Sequence, residues 1–325
     1  MAGLQYRGSD AQGGYLTNPR LSEKLRYALV PLMKFRQFVD IKEGWGMGKG
    51  DVLTFDKVSA IDTAGGTLVE TNVMPENQFS MGQGTITLSE HGNSIPWTGK
   101  LQALQQVGDI GDAVSHVLKQ DMATVLDKRC GINFKQSWVK YICKSSNSGN
   151  FETRAADATL ASVASNLAKF NPTVYHIQEC VDWLRRENIP PYDGEDYVGI
   201  FSVNALRGIY DDGAFQDAAK YGDPERLFAG EVGRIYNCRC VRETNYLVNT
   251  LGSSPGTNAL GEGVVFGSET VMEGIAVPEE LRQKIPTDFG RSKGLAWYSI
   301  EGWERVWKQS DTNQTEHIIH LTSAK

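Results

Sequence analysis

The sequence predicts a mixed α and β fold in which an N-terminal extension, a two-stranded ribbon, one long helix, an α/β unit and closing strands follow in order. Three observations carry this. Runs rich in strand formers, Val52–Phe55 with Val58 and Thr85–Leu88, bracket a long polar excursion. One apolar stripe persists from Ile110 to Leu126, and beyond about residue 160 helical and strand patterns alternate.

Residues 1 to about 20 are Gly-rich and polar, and Leu21, Leu25 and Leu29 then recur every four residues. That spacing predicts a short amphipathic helix ended by Pro31, an arm rather than part of a core. The excursion between the two strands holds Ala64-Gly65-Gly66, Thr67-Leu68-Val69-Glu70-Thr71, Met74-Pro75, Gly82 and Gly84. Such a ribbon is marginal in water alone, so it is expected to lie on something larger, a neighbouring subunit.

The long helix has Asp109 or Asp112 as N-cap, with Ile110, Val114, Val117, Leu118, Met122, Val125 and Leu126 on one face and Gly131 as the expected C′ stop. At about 1.5 Å per residue it makes a spine about 30 Å long. A polar stretch at 144–158 marks a break. Asn171-Pro172 then reads as N-cap and N1 of a helix with Val174, Ile177, Val181 and Leu184 buried, stopping before Pro190-Pro191.

Tyr197–Phe201 reads as a short central strand, Ala205–Tyr210 as helix and Gly233–Val241 as one half-buried strand. A Gly-rich loop from Gly252 to Gly263 leads into Val264-Val265-Phe266 and a short helix near Ser268 to Met272. Gly294–Ile300 and Glu316–Leu321 are the closing strands, expected to pair beside the spine helix. No internal repeat is present.

Composition limits function. A chain of 325 residues with 40% hydrophobic content buries a substantial core, enough for two domains with extensions. The net charge of −6 provides no overall positive field for nucleic acid or an anionic membrane. The N-terminus lacks the apolar stretch of a signal peptide, and no apolar run approaches the ~20 residues of a membrane span, so a soluble, cytosolic product is expected. Cys130, Cys143, Cys180, Cys238 and Cys240 lack paired spacing and are read as free thiols.

Motifs for chemistry fail on mechanics. Gly252-Ser253-Ser254-Pro255-Gly256 spells a nucleophile elbow, but Pro255 has no backbone N–H for an oxyanion hole. Gly44–Gly50 lacks the Gly and Ser or Thr that a phosphate loop needs at 43 and 50, and a strand follows it. His317 and His320 would point to opposite faces of a strand, and Cys238 with Cys240 have no further ligand nearby in sequence. Asn313-Gln314-Thr315 is a glycosylation spelling without a secretory signal. Asp211-Asp212 and Glu279-Glu280 read as solvated caps or turns, and Trp183, Trp297, Trp303 and Trp307 as core or interface anchors. No catalytic, cofactor or metal residue is therefore expected.

The order of parts resembles the coat-protein fold of tailed bacteriophages, the Hong Kong 97-type shell fold. Gly48–Phe55 resembles that family's start of its extended loop, Leu68-Val69-Glu70 with Met74-Pro75 the loop's outer part, and Thr87–Thr98 its return to the spine helix. Gly230–Cys238 resembles an axial-domain turn and strand, and Asp288-Phe289-Gly290-Arg291 with Ala296-Trp297-Tyr298 the close of the peripheral domain. Together these cover most of residues 20 to 305. The resemblance implies an arm at 1–45, an extended loop at 46–100, a peripheral domain with the spine helix at 101–160, an axial domain at 161–262 and peripheral return strands at 263–325.

It also implies a major capsid protein assembling with itself into pentamers and hexamers of an icosahedral virion shell, built in the host cytoplasm and enclosing DNA without specific binding. Expected partners are a portal, a separate scaffolding protein unless a propeptide has been removed, and optionally a decoration protein. Leu25 and Leu29 of the arm, Leu68, Val69 and Met74 of the loop, and Trp297 are the candidate subunit contacts. The alternatives are an encapsulin-like nanocompartment shell, a phage tail or adaptor protein, and a cytosolic α/β enzyme with a convergent polar pocket.

Overall fold

The computed structural model describes residues 33–42, 50–58, 66–68, 70, 73–74, 76, 78–79, 81–104, 110–153, 172–213, 215–217, 233–247, 260–289, 291–308 and 316–324. A 3₁₀ turn at Phe35–Phe38 precedes β1 (Asp40–Lys42), β2 (Val52–Val58), β3 (Met81–Thr87), β4 (Ser89–Thr98), α1 (Gly99–Leu104) and the long α2 (Ile110–Lys135). There follow β5 (Val139–Ser145), β6 (Ser148–Thr153), α3 (Val174–Arg186), β7 (Tyr197–Phe201), α4 (Val203–Tyr210), β8 (Arg234–Ile235) and β9 (Cys238–Arg242). β10 (Leu260–Phe266), β11 (Val271–Gln283), β12 (Ser292–Arg305) and β13 (Ile318–Ala324) complete the chain.

The strands form three sheets: β1-β11-β12-β4, the mixed seven-stranded β6-β5-β13-β10-β7-β9-β8, and the ribbon β2-β3. β7 explains the middle one. All five of its residues are buried, Tyr197 and Phe201 facing the core built with α3 and α4, Val198 and Ile200 facing the core that includes Cys130 and Phe134 of α2. A strand apolar on both sides needs cover on both sides, which helices on each face supply.

Helix α2 spans both main sheets. Ile110, Val114, Leu118 and Leu126 pack with Trp97 and Trp297 of the four-stranded sheet, while Cys130 and Phe134 pack under the seven-stranded one. Its 26 residues make it about 39 Å long, longer than the sequence predicts, because Gly131 does not end it. A Cβ at Gly131 would lie 2.8 Å from Tyr246 and 3.0 Å from Phe35, so this glycine permits close packing inside the helix.

Other expectations are corrected likewise. Helix α3 is capped by Thr173 rather than Asn171, with the Thr173 N–H donating to His176 Nδ1 at 2.9 Å; Pro172 stands before the cap. The run 233–241 is a hairpin, not one strand, because Tyr236 and Asn237 adopt φ of 45° and 60° and turn the chain in two residues. Ser268 to Met272 forms no helix: β11 begins at Val271, paired with Arg305. The closing strands do not pair with each other. β12 lies between β11 and β4, whereas β13 lies between β10 and β5. Thus Leu260–Phe266 and Ile318–Ala324 join the seven-stranded sheet together with β5 and β6, across the boundaries expected at residues 160 and 263. Val264, Val265, Phe266, Ile318 and Ile319 are buried on both faces of the strands that carry them, and the seven-stranded sheet has apolar cores on both sides to receive them.

Candidate assembly surfaces

The ribbon is built by strict alternation in β2. Leu53, Phe55 and Lys57 are buried while Val52, Thr54, Asp56 and Val58 face out. The buried side, with Ile86 of β3, rests on Val306, Met272 and Trp307 of the same chain, and Lys57 Nζ donates to the Val306 carbonyl at 3.1 Å. A neighbouring subunit is thus not needed to seat its base, contrary to the expectation from strand physics alone.

The seat is a notch made of absent side chains. Gly274 and Gly302 stand opposite each other across β11 and β12. A Cβ at Gly302 would lie 2.3 Å from the Thr87 carbonyl oxygen, and one at Gly274 3.0 Å from a Leu53 methyl, so the ribbon lies against bare backbone.

Farther out the ribbon segment is apolar and open to solvent. Leu68 is 58% exposed, Val73 90%, Met74 67%, Phe79 59% and Met81 61%. A second exposed pair lies at the β11–β12 turn, where Ile285 is 83% exposed and Phe289 fully so. These side chains are left uncovered by the rest of the chain. Of the sequence-predicted contacts, Leu68 and Met74 fall on this surface; Leu25, Leu29 and Val69 lie outside the described residues. Trp297 is corrected: it is 1% exposed, locked between β12 and α2 with its indole N–H donating to Asp121, and is consumed inside its own chain.

Residues 33–42 dock on the body through a constellation the sequence analysis missed. Phe35 is completely buried against Phe134 and Tyr246. The Arg36 N–H donates to Asp127 Oδ1 at 3.1 Å, and its guanidinium meets Glu273 at 2.9 Å, Glu301 at 3.5 Å, and Glu279. Glu279 is therefore an ion-pair partner on a strand and not a solvated turn residue. Burial opposes the Arg36 charge, yet the facing carboxylates hold its pKa above the ordinary value. Burial pushes Glu273 up and Glu301 to about 8, against the pull of Arg36. No sequence signal foretold this, since the three glutamates lie more than 230 positions from Arg36 and Asp127 lies 91 away.

A second set of buried charges lies where α2 meets β10 and β13. Lys135 pairs with Glu262 at 2.6 Å, His320 Nε2 lies 3.5 Å from the same carboxylate, and Lys140 Nζ donates to the Lys135 carbonyl at 2.8 Å. Arg305 pairs with Glu316. Burial lowers Lys140 to about 8 and His320 to about 4. His317 goes elsewhere, stacking on Trp307 and contacting the Ser268 carbonyl at 2.7 Å, so the two histidines do not converge. Among the described residues no three His, Cys, Asp or Glu side chains are arranged to hold a metal, and no helix is long and apolar enough to cross a membrane. The five cysteines are free thiols; burial raises Cys130, Cys143 and Cys180 far above a reactive range. Ser254 and residues 44–49 lie outside the described residues.

No protein-family model and no curated protein matches the sequence. Solved structures do match. The head structure of Helicobacter pylori bacteriophage KHP40 superposes with a TM-score of 0.69 at 14% identity, covering 98% of this chain and 99% of that one. The capsid of cyanophage P-SCSP1u gives 0.67 at 12% identity over 94% and 93%, and that of Ralstonia phage GP4 gives 0.64 at 14% over 94% of both. The class of architecture is thereby fixed: an α+β fold shared with phage head and capsid chains. The particular fold is the Hong Kong 97-type shell fold, carried over nearly the whole chain.

Proposed function

We propose that this protein is the major capsid protein of a tailed bacteriophage, assembling with itself into the icosahedral shell that encloses the genome. The observation that carries the reading is end-to-end superposition on phage head and capsid chains, with both partners covered at 93% or more in the cases above. A catalytic relative built on a piece of this fold would leave much of one chain unmatched.

The physical logic agrees. A ribbon whose base is seated and whose outer apolar residues, Leu68, Val73, Met74 and Phe79, are uncovered is suited to burial on another copy. Identical chains making such head-to-tail contacts close into a shell when the angles permit. In this reading the four-stranded sheet, α2 and the ribbon form the peripheral part, and the seven-stranded sheet with α3 and α4 the axial part. Leu25, Leu29 and Val69 remain candidate contacts, the virion is the site of residence after assembly in the host cytoplasm, and a portal and scaffolding protein are the expected partners, with a decoration protein optional. The work of the chain is assembly and not catalysis.

The test is expression of the chain alone and with its neighbouring genes, followed by sedimentation and negative-stain electron microscopy. Closed shells, or capsomers that close with a scaffold, are the expected result. A compact monomer or dimer in both conditions would overturn it, and shells packed with an enzyme instead of DNA would transfer the reading to a nanocompartment.

A further inference from the structure

The thioether sulfurs of this chain are unevenly placed. Met122 packs on the core of Trp97, Leu118 and Trp297, and Met272 lies beneath the ribbon base with Leu53 and Phe55. Met33 is half-buried. Met74 and Met81 are the opposite, each more than half exposed.

Both stand where the ribbon changes character. Midway along the ladder the outward pairs are polar, Thr54 opposite Thr85 and Asp56 opposite Gln83, whose amide donates to Asp56 at 3.0 Å. Farther out Val58 stands opposite Met81, both exposed, and the exposed Leu68, Val73, Met74 and Phe79 lie in the excursion beyond. Among the described residues, the two open thioethers therefore fall within the ribbon's apolar outer stretch.

We propose that Met74 and Met81 form a reversible oxidation site, with small peroxides as the oxidant, that decides whether a subunit can enter a shell. The site rests on exposure alone; its consequence rests on the capsid reading. The thioether sulfur attacks one oxygen of hydrogen peroxide, and the S–O bond forms as the O–O bond breaks. The departing hydroxide takes the proton from the transferred oxygen and leaves as water, so sulfur loses two electrons and peroxide gains them. No acid or base from the protein is required, only access from solvent.

The product is a different side chain. A flexible apolar group becomes a polar one whose oxygen is a strong hydrogen-bond acceptor. In the single chain that oxygen stays in water, and the fold is indifferent to it. Carried into a contact of apolar side chains it meets no donor and opposes burial. Every subunit of a shell repeats the contact, so a modest penalty at one is multiplied over the assembly. Once the contact has closed, peroxide is shut out, and the finished shell is spared what the free subunit suffers.

The test is dilute hydrogen peroxide applied to the full chain before and after assembly, with oxidised peptides quantified by mass spectrometry and shells by sedimentation. In the free chain Met74 and Met81 should oxidise at least tenfold faster than Met122 and Met272, with the circular dichroism spectrum unchanged. In closed shells their rates should fall at least tenfold. Chain oxidised beforehand should give at least tenfold fewer shells, and methionine sulfoxide reductases of both epimer specificities should restore the yield. Met74→Leu with Met81→Leu keeps size and apolarity and should assemble normally through the same treatment.

Equal rates in the free chain, unchanged rates in the shell, normal yield from oxidised wild type or an equal loss in the double variant would overturn the proposal and leave the capsid reading standing. If the double variant does not assemble even untreated, the reductases decide, because yield that stays low after the sulfoxides are reduced overturns the proposal too. Untreated wild type that builds no shell, alone or with its neighbouring genes, overturns the capsid reading and the role of the site with it.

Discussion

The indole N–H of Trp297 donates to Asp121 Oδ2 at 2.9 Å, and the same oxygen accepts from Asn93 at 2.9 Å, so one carboxylate on α2 ties down both β12 and β4. Asp121→Ala leaves a buried indole N–H without its acceptor. The expected cost is about 1–3 kcal/mol, read as a lowered denaturant midpoint, with Asp121→Asn recovering most of it because the amide oxygen still accepts.

Gly302→Ala would set a methyl into the Thr87 carbonyl. Strands cannot give way as flexible side chains do, so the ribbon base must shift, at about 1–3 kcal/mol. Gly82→Ala, on the ribbon with open space around its Cα, is the control and should leave the midpoint unchanged. Thermal unfolding of the two variants side by side makes the comparison.

Leu68→Asp and Met74→Asp alter side chains that touch little in the single chain. Unfolding of the isolated subunit should stay within about 0.5 kcal/mol of wild type. Shell yield, counted by sedimentation, should fall at least tenfold, since each variant brings a charge into the proposed contact. Normal yield in both would remove these residues from the contact surface.

His320 is buried and kept neutral, its pKa lowered to about 4 by burial and by Lys140 and Lys135, against the pull of Glu262. Between pH 6.5 and 4 the unfolded chain takes up a proton that the folded chain refuses, so this residue's contribution, full above 6.5, is lost as pH falls through 4. Its size is on the order of 3 kcal/mol. Denaturant midpoints at pH 4, 5, 6 and 7 should show a shallower acid decline in His320→Gln than in wild type.

What was legible in the sequence was what is local. The strand-forming run Val52–Phe55 with Val58, the stripe from Ile110 to Leu126 and the apolar Tyr197–Phe201 are each written in neighbouring residues, and each element stands where expected, although the burial of Lys57 in the first was not foreseen. Signals with two meanings misled. Gly131 looks the same whether it stops a helix or lets Tyr246 and Phe35 approach one. Trp297 looks the same whether it anchors a partner or its own sheet. The charge clusters were invisible because a strand carboxylate such as Glu301 reads as solvent-facing until Arg36, 265 positions earlier, is folded against it. Of the exposed apolar residues, Leu68 and Met74 were named through the family resemblance, while Ile285 and Phe289 sit in a turn whose polar neighbours hid them.

Helix α2 also fixes a phase. Leu126 faces the core shared with the four-stranded sheet and Cys130 the core beneath the seven-stranded one, with no break between them. One residue inserted there would turn everything beyond it by about 100° and swing Phe134 away from Phe35 and Phe266. The spacing of the two cores can therefore drift in evolution only by nearly whole turns, while loops elsewhere are free to change by single residues.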